Sequence, residues 1–75
     1  MPTLKRLANG KITKYANDHG EPHFHVETPD ARCSVSIIRL VVIVGGVARV
    51  TLDEALAWAR ENPDMLRLRW KELNP

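Results

Sequence analysis

A second cysteine is missing from the chain. Cys33 stands alone, so no intramolecular disulfide can staple the fold, and small secreted domains with modest cores generally depend on several. A reducing, cytoplasmic home is the expectation. Long apolar runs are missing too: the longest, Leu40 to Val44, stops at Gly45-Gly46, far short of the roughly 18 residues a membrane span requires. The charged start, Met1-Pro2-Thr3-Leu4-Lys5-Arg6, leads into no apolar region of the length a secretory signal needs. These features together predict a soluble, unexported protein. No GxGxxG or P-loop pattern occurs, and Gly45-Gly46 alone reads as a turn. Internal repeats and linkers are likewise missing.

What is present fits one small domain spanning residues 1–75. Hydrophobic residues at 44% and charged residues at 27% are ordinary globular usage. A chain of this length buries only about 60% of the surface its unfolded form exposes. A deep enclosed cleft is therefore not expected, and function belongs on a surface. The net charge of +2 is too small to argue for nucleic acid by itself. Its distribution is uneven, however. Residues 1–16 carry Lys5, Arg6, Lys11 and Lys14 with no acid, whereas residues 17–30 carry Asp18, Glu21, Glu27, Asp30 and all three histidines with no Lys or Arg. Arg67, Arg69 and Lys71 form a second basic group. Such groups can bind phosphates or an acidic partner, and on a small domain they also serve as solvating decoration.

Period and turn signals predict an α+β fold: a mainly antiparallel sheet of three or four strands within residues 3–44, then two C-terminal helices packed on one face. Lys11 to Ala16 reads as a strand after the Asn9-Gly10 turn, with Leu4 and Leu7 in a further one. His23-Phe24-His25-Val26-Glu27 alternates with period 2, which turns Phe24 and Val26 inward and His23, His25 and Glu27 to the other face. Beyond the Thr28-Pro29-Asp30 turn, Cys33, Val35 and Ile37 alternate with Arg32, Ser34 and Ser36, completing a hairpin. Leu40 to Val44, apolar on both faces, predicts a strand covered on both sides and ended by Gly45-Gly46. Thr51-Leu52-Asp53-Glu54 matches a capping box and predicts a helix over about 52–61, with Asn62-Pro63 opening another over about 63–73. Trp58 and Trp70 lie on or beside apolar stripes and are expected in or near the core.

Candidate chemistry concentrates in Asp18-His19-Gly20-Glu21-Pro22-His23-Phe24-His25-Val26-Glu27. Neighbouring same-face positions on a strand lie about 6.5 Å apart, so the imidazoles of His23 and His25 can converge on one cation. With His19 as a third ligand and an oxygen from Asp18, Glu21 or Glu27, this would make an open site for zinc or another divalent transition metal, able to acidify a bound water. The same residues serve equally as hydrogen-bond fillers or as a contact surface. Cys33 is expected to be a buried, inert thiol. Ser34 and Ser36 sit on the polar side of their strand, where the spacing predicts no Ser-His catalytic geometry.

The Met-Pro-Thr start, Tyr15 to Asp18-His19, Pro22-His23-Phe24-His25-Val26 and a Trp in each closing helix resemble domain-of-unknown-function family 4160, over nearly the whole chain. Many members carry a second proline where this chain has Glu21. The resemblance implies a small bacterial protein whose gene often neighbours that of another small family, in an arrangement reminiscent of toxin-antitoxin pairs. Two expectations follow. The first is a non-enzymatic interaction or regulatory module, binding a small protein encoded by an adjacent gene through Asp18, His19, Glu21, His23, His25 and Glu27, with no catalytic residue. The alternative is a metal-dependent hydrolase or nuclease using His19, His23 and His25, with the N-terminal lysines attracting phosphate. The sequence leaves nucleic acid open as a partner, implies no membrane, and does not set the oligomeric state.

Overall fold

The computed structural model describes residues 3–14 and 20–73. Five strands precede two helices: β1 (Thr3–Arg6), β2 (Lys11–Thr13), β3 (His23–Glu27), β4 (Arg32–Ser36), β5 (Val42–Gly46), α1 (Arg49–Glu61) and α2 (Pro63–Leu73). Every strand pairs antiparallel with the next, so sheet order and chain order coincide. The expected α+β class holds, with five strands instead of three or four. No helix among the described residues is long and apolar enough to cross a membrane.

The hairpin signals act where the sequence places them. Leu7 N–H donates to the Gly10 carbonyl at 2.8 Å across the β1–β2 turn. At Gly10 a Cβ would collide with the Glu27 carbonyl, so only glycine lets this turn lie against β3. Thr28 closes the β3–β4 turn: its backbone N–H donates to the Ala31 carbonyl at 2.8 Å, and its hydroxyl accepts from Ala31 N–H at 3.0 Å.

Period-2 alternation sets the core. Ile12, Phe24, Val26, Cys33 and Val35 are all buried and share one sheet face, with Ile37 continuing the row. Against them pack Ala55 and Ala59 of α1 and Leu66 of α2, with Leu52, Leu56, Trp58 and Trp70 half-buried around the cluster. Both tryptophans are thus near-core, as their spacing predicts. Burial raises the Cys33 thiol above its ordinary pKa, opposed only partly by its backbone hydrogen bond with Val26, and this removes thiolate reactivity.

Two expectations need correction. Helix α1 begins at Arg49, ahead of the expected start near Leu52, with Ala48 as N-cap and no side-chain cap bond. Thr51 lies inside the helix, in phase with buried Ala55 and Ala59. Glu54 does not reach back to it; its carboxylate accepts from Ala8 N–H at 3.2 and 3.3 Å, tying α1 to the β1–β2 hairpin. Burying the Thr51 methyl with the alanine stripe outweighs a cap that local sequence alone favours. Asn62 performs the expected double role. Its side-chain amide donates to the Trp58 carbonyl at 2.8 Å, and its own carbonyl accepts from Leu66 N–H at 3.1 Å to start α2 behind Pro63.

The second correction concerns the apolar run. The strand is Val42–Gly46, shifted from Leu40–Val44, and it is exposed at all five positions instead of covered on both sides. Leu40 instead sits in the preceding turn at φ 54°. Gly45 and Gly46 are the last two residues of the strand, not a turn that follows it. They pair with Cys33 and Arg32, respectively. Gly45 has φ +79°, and a Cβ there would stand 2.5 Å from the Arg32 carbonyl oxygen. As the last strand of the meander, β5 has a neighbour only in β4 among the described residues. Apolar composition recorded a surface here, not a core.

Candidate functional site

The polar face of the sheet is built by the same alternation that builds the core. Cross-strand partners share a face, so the register Thr13↔His25↔Ser34↔Val44 lays one row across four strands. A second row runs Lys11↔Glu27↔Arg32, and His23 stands opposite Ser36. The face is half-buried, not open: His23, His25, Glu27 and Ser34 are intermediate in exposure, while Thr13 and Ser36 are fully buried.

Thr13, Glu27, Ser34, His25 and His23 on this face each have a partner. Thr13 Oγ1 donates to Glu27 Oε2 at 2.6 Å. Ser34 Oγ and His25 Nδ1 are 3.3 Å apart. His23 Nδ1 lies 2.8 Å from the Glu21 carbonyl oxygen; a carbonyl only accepts, so this nitrogen carries the proton. The His23 and His25 rings meet edge to face with centroids 5.0 Å apart, and His23 stacks at a tilt on Trp70 at 5.3 Å. Lys14 Nζ sits 4.4 Å above the Trp70 ring, a cation–π contact that lets a lysine be almost wholly buried. The face is therefore a preorganised aromatic and polar surface.

Glu21 is fixed in a different way. Arg39 clasps it with Nε at 2.8 Å and Nη2 at 2.7 Å, and the Ser36 hydroxyl donates to it at 2.5 Å. The hydrogen bond from the Arg39 guanidinium, followed by that from Ser36, holds the Glu21 carboxyl at about 2. Beside this clamp, a shallow groove of about 470 Å³ runs between Pro22, Ile38, Leu68 and Trp70.

Of the expected site residues, the structure thus brings His23 and His25 together, places Glu27 in the adjoining row with Thr13, and engages Glu21 with Arg39. Asp18 and His19 lie outside the described residues. Among the described residues no group of three His, Cys, Asp or Glu side chains could hold a metal ion. The Ser-His contact that spacing did not foresee, Ser34 with His25, follows from the hairpin register, which makes them direct partners. Arg39, Lys14 and Thr13 were also missed: Arg39 lies beyond β4, and no local spacing links it to Glu21.

No curated protein and no solved structure matches this chain. The family model described as Domain of unknown function (DUF4160) matches residues 11–71, from β2 almost to the end of α2. That span takes in both histidines of β3, the Glu21–Arg39 clamp and both tryptophans, and the chain belongs to the DUF4160 family.

Proposed function

We propose that this chain is a non-enzymatic interaction or regulatory module, one half of a toxin-antitoxin-like pair, which binds a small protein encoded by an adjacent gene. The observation that carries this reading is the row Thr13–His25–Ser34–Val44, where a preorganised polar face runs into an apolar strand that the domain leaves uncovered. Val44 is 64% exposed at the open end of that row. A half-buried polar floor with an exposed apolar rim suits recognition, because the floor loses little side-chain entropy when covered and the rim supplies hydrophobic area. The internal commitments of His23 and His25 support positioning over proton transfer or metal ligation.

Co-expression with the product of the adjacent small open reading frame tests the reading. Wild type is expected to co-purify with it, while Val44→Lys and the double variant His23→Ala, His25→Ala lose it, with circular dichroism confirming that the variants fold. Undiminished capture by both folded variants would place the contact elsewhere, and no capture by wild type would end the reading.

A further inference from the structure

Among the described residues seven large apolar side chains are exposed, and six of them lie between Ile38 and Val50: Ile38, Val41, Val42, Ile43, Val44 and Val50. A single soluble domain rarely leaves so continuous an apolar surface open without a use. The two edges of the sheet are also unlike. Edge strand β1 is four residues long, carries Lys5 and Arg6, and has an irregular register between Thr3 and Lys5. Shortness, charge and bulging are the devices by which proteins prevent strand edges from pairing. Edge strand β5 has none of the charges: from Leu40 to Ala48 there is no charged residue and no proline.

We propose that β5 pairs antiparallel with β5 of a second copy of this chain, joining two five-stranded sheets into one across a twofold axis. The occupant follows from chemistry. In a twofold antiparallel pairing each strand faces its own sequence reversed, so a charge at the axis meets its own copy, which is destabilising. An uncharged strand is free of that penalty, and Val42–Gly46 is uncharged throughout. The bulge at Ser34/Val35 sets Val42 beside Val35 on the core face and Val44 beside Ser34 on the polar face. With Val44 at the axis, each Val44 gains its copy's apolar side chain on the polar face. Association also closes at two copies, since the edges left over are the charge-guarded β1 strands.

The inference rests on the interaction-module reading and deepens it: the axis stands perpendicular to the sheet, so the row Thr13–His25–Ser34–Val44 continues into its counterpart and presents one doubled face. The chain alone, without any partner, is the test material. Light scattering during size-exclusion chromatography should give about 17 kDa, twice 8.5 kDa, at micromolar concentration. Val44→Lys should elute as the monomer with an unchanged circular dichroism spectrum, and Lys5→Val, on the other edge, should leave the dimer intact. A wild-type monomer up to millimolar concentration would overturn the inference, as would a Val44→Lys variant that stays dimeric, or open-ended aggregation of wild type. A monomer that still captures the adjacent-gene product would leave the interaction-module reading standing, so the two failures are distinguishable.

Discussion

Glu21 receives both prongs of the Arg39 guanidinium, at 2.8 and 2.7 Å, although the residues stand eighteen positions apart and on opposite sides of the β3–β4 hairpin. The pair closes the entry to β3 onto the exit from β4, next to the Ile37 N–H to Pro22 carbonyl bond of 3.0 Å. Glu21 is lowered from 4.5 to about 2. A carboxyl whose folded value is depressed contributes stability that is fully present above the unfolded value and lost as the pH falls toward the folded one. Melting temperatures measured across the acid range should therefore fall for wild type between pH 4.5 and 2, and Glu21→Gln should flatten that limb. Equal acid slopes in the two proteins would show that the clamp contributes nothing to folding.

Adjacent glycines in β5 should respond differently to substitution. Gly45→Ala places a Cβ 2.5 Å from the Arg32 carbonyl oxygen at a φ of +79°, and the left-handed conformation alone costs an alanine about 1–2 kcal/mol. Gly46 has nothing within 4 Å of its would-be Cβ and no positive φ; Gly46→Ala should stay within about 0.5 kcal/mol of wild type. Urea unfolding of both variants checks this, and equal losses would contradict the placement of β5.

Thr51 separates the capping box from the buried helix face. As an N-cap, Thr51→Val would cost about 1 kcal/mol. The hydroxyl makes no hydrogen bond within α1 or with another described residue, and the side chain is buried in phase with Ala55 and Ala59. Thr51→Val should consequently be neutral or stabilising, by the same unfolding measurement. A loss of cap size would restore Thr51 to the helix terminus.

Where periodicity was strict, the sequence was readable. Phe24, Val26, Cys33 and Val35 alternate with polar neighbours and are buried as read; Phe24→Ala, with its side chain fully enclosed, should cost about 3–5 kcal/mol. The polar face, with His23, His25 and Glu27, followed from the same alternation. What failed was anything that depended on position in the sheet. An apolar run has the same composition whether it lies at the centre or the edge, so Val42–Val44 looked like core. Thr51 carried a strong local cap signal that helix packing overrode. The Glu21–Arg39 clamp and the Lys14–Trp70 contact join residues whose proximity exists only once five strands and two helices are assembled. Asp18 and His19 lie outside the described residues.

Native mass spectrometry of the chain co-expressed with the adjacent-gene product tests the central claim most directly, because it reads partner and copy number together. The account predicts an equimolar complex containing two copies of this chain, joined through β5 and offering one doubled His25–Ser34–Val44 face. The chain appearing by itself, as a species of 8.5 kDa or as its dimer, with the co-expressed protein present and folded but unbound, would contradict it.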